Sequence, residues 1–302
     1  MNQTKGFLAL VSTAAILGTF GVLIRELAKT FSDPGQVFAR SLFATLIIAL
    51  VVLYKKINPL DIGKKNLKYV LAFSVVFPLS ILCFTVSANL IKVTNSLFML
   101  YVGSLVSTAI FGRVLFKEKF TLKHIAALVL VFIGLSFFVY PFSVESITLG
   151  LVLGLFSGIF EGSSHTLRKL MKDVKREVVV FYQSLSGVIL ASGLLLFSNE
   201  VFIKEFHLSA IFVALLFGLL LVSIGYLLVY GFGNFDVNWG TIILATELFF
   251  AIVINSVFLK EYPTSYELIG GLLIFSGTAI TTLKLNKGNK KAMEKKKTAV
   301  SS

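Results

Sequence analysis

Glu247 is the residue with the clearest chemical potential in this 302-residue chain. It lies near the middle of Thr241–Leu259, a stretch otherwise almost wholly apolar. A carboxyl group at bilayer depth costs several kcal/mol to place, so it faces a cavity or a partner. There it can attract a cation or load and release a proton. Glu161 and His165 stand four residues apart, on one face of a helix, where they can interact directly. Their chemistry is a proton relay or an anchor for a substrate amine; the alternative is a hydrogen-bonded pair beside a wet vestibule. Two such ligands without a nearby third do not define a metal site.

Arg40 follows about six residues into its own apolar stretch. It can capture an anionic group with its planar fork, snorkel outward, or pair with Glu26. Asn95 and Asn238 open two apolar stretches and are expected to cap helices. Tyr101 and Ser104 can add hydrogen bonds to a polar cavity.

The elements that must position these groups are written in the hydropathy. Mean hydropathy is +0.90, and only 14% of residues are charged. Apolar runs of ~18 residues or more read as membrane-spanning helices. They fall near 6–28, 34–55, 67–89, 93–116, 121–141, 147–169, 177–198, 208–232, 237–259 and 265–285. The connections are short. The fold expected is an all-α polytopic membrane protein of ten transmembrane helices. Strand barrels would need alternating segments of ~10 residues, which this chain lacks.

The second half repeats the first. Lys117-Glu118-Lys119-Phe120-Thr121 returns as Lys260-Glu261-Tyr262-Pro263-Thr264, at an offset of 143 residues. The same offset carries Arg25 onto Arg168, Lys29 onto Lys172, Ser80 onto Ser223 and Asn95 onto Asn238, with no gap. An odd number of spans per repeat inverts one half relative to the other, which is how carriers enclose a central site. The expected division is 1–142 and 143–285 as two five-helix repeats, with 286–302 a basic cytoplasmic tail. Each Lys-Glu turn precedes a Thr that can cap the next helix, a structural role.

The net charge of +13 does not imply a nucleic-acid partner, because the charge is sorted. With the N-terminus inside, 22 of the 28 Lys and Arg fall on the cytoplasmic side. Both termini are therefore expected in the cytoplasm, and the tail in solvent or touching anionic lipid. The first apolar run is too long for the core of a secretion signal. Lone Cys83 excludes an internal disulfide and a zinc cluster. No phosphate-cradling loop, zinc-protease helix or nucleophile elbow is present, so the chain is not expected to be an enzyme or to hold a cofactor.

These residues resemble the EamA-type members of the drug/metabolite transporter superfamily. The resemblance rests on Leu259-Lys260-Glu261, Thr264, Gly270 and Gly277, on their counterparts Phe116-Lys117-Glu118, Thr121 and Gly134, and on Arg40; it covers residues 6–285. It implies ten helices in two inverted repeats and secondary transport of small organic solutes, including export of amino acids and other metabolites. The chain departs from the family at Leu105 and Leu248, where proline is common. A prokaryotic inner membrane fits the short loops. A channel or a non-transporting scaffold is the alternative, although no selectivity ring stands out.

Overall fold

A computed structural model describes residues 3–119, 121–137, 148–197 and 201–277. The ends of the expected spans 121–141, 177–198 and 265–285, the start of 147–169, and the tail 286–302 lie outside the described residues. The described residues are helical almost throughout, and Phe31 and Ile203 form an isolated antiparallel bridge between two loops.

Twelve helical segments follow in order: α1 Gln3–Leu17, α2 Phe20–Ala28, α3 Asp33–Tyr54, α4 Lys64–Leu90, α5 Val93–Phe116, α6 Leu122–Ser136, α7 Leu149–Leu170, α8 Arg176–Phe197, α9 Leu208–Asn234, α10 Val237–Leu244 and α11 Glu247–Phe258, and α12 Ser265–Gly277. Taking α1 with α2 and α10 with α11, seven helices among the described residues are long and apolar enough to cross a membrane; α6 and α12 are shorter apolar helices. Helix α7 has 22 residues, but Glu161, His165, Arg168 and Lys169 lower its hydropathy.

The outside of the bundle is apolar. Leu53 is 73% exposed, Leu196 81% and Phe212 65%. In water such a surface would aggregate; acyl chains solvate it. The polar side chains are turned inward, with Arg40, Arg168, Gln183 and Glu247 all buried.

Packing follows the repeat. Helix α7 lies along α4 and α5, α1 lies along α9, and α3 lies along α8. The first span thus packs on the eighth, the sixth on the third, and the second on its own equivalent, the seventh. The α5–α7 contact is close because a β-carbon on Gly158 would strike the Leu100 carbonyl, and one on Gly162 would strike the Ser107 hydroxyl. Small residues let helix backbones approach where the solvent supplies no hydrophobic drive.

Two spans are interrupted. The first breaks at Gly18–Thr19 and the ninth at Ala245–Thr246. In the ninth, the Leu248 amide donates to the Ala245 carbonyl at 3.2 Å, a tightened turn of the kind that marks hinges inside helices. Leu248 is not proline, so here the turn tightens without one. Helix α5 runs unbroken through Leu105. Among the described residues, the proline inside a helix is Pro78, in α4; it removes one ladder hydrogen bond beside Phe77 and Ser80.

Candidate functional site

Glu247 is the first residue of α11, directly after the tightened turn, and is 4% exposed. Its Oε2 lies 2.5 Å from the Tyr101 hydroxyl of α5. The same hydroxyl lies 2.8 Å from the Leu244 carbonyl, across 143 positions of sequence. Tyr101 therefore bonds its own counterpart in the other repeat, and the contact sits where the two repeats meet. Glu247 itself has no acidic counterpart; the equivalent position is Ser104.

Glu161 enters from α7. Its Oε2 accepts from the Ser80 hydroxyl at 3.0 Å, and its Oε1 lies 3.5 Å from both His165 Nδ1 and Arg168 Nη1. Arg168 is fully buried. It donates to Ser164 Oγ, His165 Nδ1 and Gln183 Oε1 at 2.8, 3.0 and 3.1 Å, with the Phe73 and Phe77 rings about 5 Å away. A guanidinium has no acceptor, so His165 Nδ1 receives its proton and the ring is assigned the Nε2–H tautomer. The His165 ring also stacks on Phe232 at 4.4 Å. The i,i+4 pairing of Glu161 with His165 thus becomes a triad in which Arg168 is the central donor.

Both carboxyl groups line one cavity of about 80 Å³, together with Ser80, Tyr101 and His165 and an apolar wall that includes Phe20, Phe77, Phe84 and Leu228. That space has room for several water molecules. Its walls come from both repeats: α1, α2, α4 and α5 on one side, α7, α9, α10 and α11 on the other.

The remaining expected site residues lie away from this cavity. Arg40 donates to Thr85 Oγ1 at 2.5 Å and lies 4.5 Å from the Phe217 ring centre. It does not pair with Glu26, whose carboxylate is 2.6 Å from Lys29. Ser104 is buried, and its hydroxyl has no partner among the described residues. Neither asparagine caps its helix. Helix α5 begins after Lys92 and α10 after Asp236, both without a side-chain cap bond. The start of α10 is capped from a distance instead. Glu118 Oε1 accepts from the Val237 amide at 2.9 Å, and Oε2 from the Asn238 side-chain amide at 2.6 Å. Lys169 closes the cluster at 2.8 Å from Glu118 Oε1.

The two Lys-Glu turns share one backbone. Lys117 and Lys260 have φ of 54° and 56°. The Glu118 and Glu261 amides donate to the Gly112 and Asn255 carbonyls, positions again 143 apart. Thr121 and Thr264 cap α6 and α12 by accepting the His124 and Glu267 amides. The side chains differ. Burial pushes the Glu118 carboxyl up, but Lys169 and the Val237 and Asn238 amides outweigh it, so its net shift is downward from 4.5. At Glu261, burial outweighs Arg25 and Lys92, and the net shift is upward. Its Oε2 has no partner among the described residues; its Oε1 lies 3.9 Å from Arg25, and the Val93 amide at the start of α5 donates to the carboxylate. The short motif signalled the turns, but it carried no sign that Glu118 reaches 119 residues along the chain.

Packing between two repeats, a lipid-suited exterior and a polar pocket where the repeats meet define a polytopic membrane protein. The model of the EamA-like transporter family matches residues 4–140 and again 148–283. The chain belongs to that family, and is a membrane transporter of small solutes. A crystal structure 15% identical in sequence aligns over 92% of this chain and 97% of its own, with a TM-score of 0.73; it shares the fold. Among curated proteins there is no match.

Proposed function

We propose that the protein is a secondary active transporter that moves small organic metabolites, amino acids or related solutes, by alternating access around Glu247. The observation that carries the reading is the placement of Glu247 and Tyr101 on the shared cavity, at the junction of the repeats. One phenolic proton faces two acceptors, the Leu244 carbonyl and the Glu247 carboxyl. A proton on Glu247 resolves the competition, because the acid donates to the phenol and the phenol donates to the carbonyl. Loss of that proton leaves one acceptor short. Protonation and local packing are then linked at the hinge of the ninth span, which is what an ion-coupled carrier needs.

We read ten crossings, in quintets 1–142 and 143–285; pairing the twelve described segments across the two interruptions and counting α6, α7 and α12 as crossings supports that reading. The basic loops after α3, α5 and α7 support a reading with both termini in the cytoplasm, at the inner membrane of a prokaryote. The test is counterflow and pH-gradient-driven flux of labelled amino acids in proteoliposomes, with Glu247→Gln beside the wild-type protein. The expected result is saturable, counter-substrate-stimulated flux in the wild type, and a loss of its pH-gradient dependence in Glu247→Gln. Unchanged rate and unchanged pH response would remove Glu247 from the coupling step; non-saturable flux would mark a channel.

A further inference from the structure

We propose that the groove where α1, α8 and α9 meet, at the basic end of the molecule, binds the phosphodiester headgroup of an anionic phospholipid through Lys5 and Arg176. This site is separate from the central cavity and does not depend on alternating access.

Three helices shape the groove. On α9, Phe212, Leu216, Leu219, Ser223, Tyr226 and Tyr230 recur at spacings of three and four residues, so they share one face. Phe212, Leu216 and Leu219 are exposed, which makes this the face turned to lipid. On α1, Lys5, Leu8 and Ser12 share a face by the same spacing, and Leu8 is exposed. Another face of α1 packs on α9, with Leu10 against Gly231. Arg176 is the first residue of α8, and its guanidinium lies 5.1 Å from the Tyr230 ring centre. Lys5, Leu8, Ser12, Arg176, Tyr226 and Tyr230 line a space of about 380 Å³. Ligand pockets begin at ~300 Å³.

The chemistry of the walls selects the occupant. Lys5 and Arg176 bring two positive charges to one groove. The Tyr230 ring holds the guanidinium beside it, where a planar fork can take two oxygens of a phosphate. The adjacent carboxylate, Glu177, is engaged by Lys55 at 2.6 Å. The Tyr226 hydroxyl lines the same space, is buried, and has no partner among the described residues. A buried polar group left unmet is costly, so a polar ligand atom belongs beside it. A free anion would meet the two cations and leave the apolar part of the groove, Leu8 and Leu227, uncovered. A phospholipid answers both. Its phosphate meets Lys5 and Arg176, its ester carbonyls meet the Tyr226 and Ser12 hydroxyls, and its acyl chains follow Leu8 and Leu227 into the bilayer. Basic pockets between helices on the cytoplasmic side suit such headgroups. The bound lipid would also join the repeats, since α1 belongs to the first and α8 and α9 to the second.

The experiment is native mass spectrometry of the full chain, purified in detergent and titrated with phosphatidylglycerol or phosphatidylcholine, with a melting curve on each sample. The wild type should bind one phosphatidylglycerol at least ~5-fold more tightly than phosphatidylcholine, and should melt higher with it. Lys5→Gln with Arg176→Gln should erase both differences. Lys64→Gln with Lys65→Gln removes the same charge at the same end of the molecule and should keep them. If the groove variant melts below the wild type even in phosphatidylcholine, Tyr226→Phe takes its place; it keeps both charges and should bind phosphatidylglycerol ~3-fold less tightly. Equal affinity of the wild type for the two lipids, equal losses in the two double variants, or no loss in the groove variants overturns the site. Millimolar inorganic phosphate should leave the bound lipid in place. Displacement by phosphate would assign the groove to a free anion and overturn the lipid.

Discussion

At the residue scale, the chemistry concentrates on the two carboxyl groups that share the central cavity. They differ in their surroundings. Glu161 is held by a serine hydroxyl and faces the buried Arg168, while Glu247 meets a phenol and no cation. The first carboxyl group has a cation facing it; the second has none among the described partners. Replacing Glu247 by Gln should reduce driven flux by ~10-fold or more, equal to ~1.4 kcal/mol in the barrier, with the pH dependence of flux as the checking measurement. Tyr101→Phe removes the donor to both the Leu244 carbonyl and Glu247. It leaves buried acceptors unpaired, at ~1–3 kcal/mol. The variant should unfold at a lower temperature in detergent and still bind solute. The acidic residues were legible in the sequence, because a carboxyl in an apolar run is too costly to sit there without a cavity or a partner. Arg168 was not. Its neighbours Arg176, Lys169 and Lys172 made it look like one more cytoplasmic cation, and only the fold shows it fully buried against Phe73 and Phe77.

At the scale of elements, the tightest joint is α5 on α7. Gly158→Leu would force the helices apart where a β-carbon already meets the Leu100 carbonyl. Overpacking of this kind costs ~1–3 kcal/mol. The expected outcome is a lower melting temperature and impaired flux. Gly193→Ala, on α8 with open space around it, should leave both unharmed and gain ~0.5–1 kcal/mol from the helix interior. The turns offer a pH test. Glu118 titrates below its ordinary 4.5 in the folded protein, so its stabilisation is present above that value and is lost as pH falls through the lowered folded one. Melting curves of wild type and Glu118→Gln should therefore differ at neutral pH and converge in acid. Glu261, shifted upward, carries the opposite sign: the stability tied to its protonated form is present in acid and lost as pH rises through the raised value. Spans and turns were legible because lipid imposes a length and a composition on a helix. The interruption at Ala245–Thr246 was not, since nothing in Leu-Ala-Thr-Glu breaks a helix by local preference.

At the scale of the whole molecule, the offset of 143 residues fixes direction. Every feature it links should appear twice, at opposite faces of the membrane. The fold gives that opposition physical content. The α3–α4 turn, the Glu118 turn, the start of α8 and the α9–α10 turn are tied together at one end by Lys55–Glu177 and Glu118–Asn238. At the other, Arg25 reaches the Asn89 and Ile91 carbonyls, and the Lys204 amide reaches Thr30. Charge sorts along the same axis, with the lysines at 55, 56, 64 and 65 at the first end. Two cysteines test the whole arrangement. On a Cys83→Ser background, Lys119→Cys and Tyr262→Cys both occupy exposed turns at equivalent positions. A membrane-impermeant maleimide applied to intact cells should label Tyr262→Cys and spare Lys119→Cys, and inside-out vesicles should reverse the pattern. Labelling of both from one face would require the second quintet to run parallel to the first, and a central cavity shared by the two repeats could not then form.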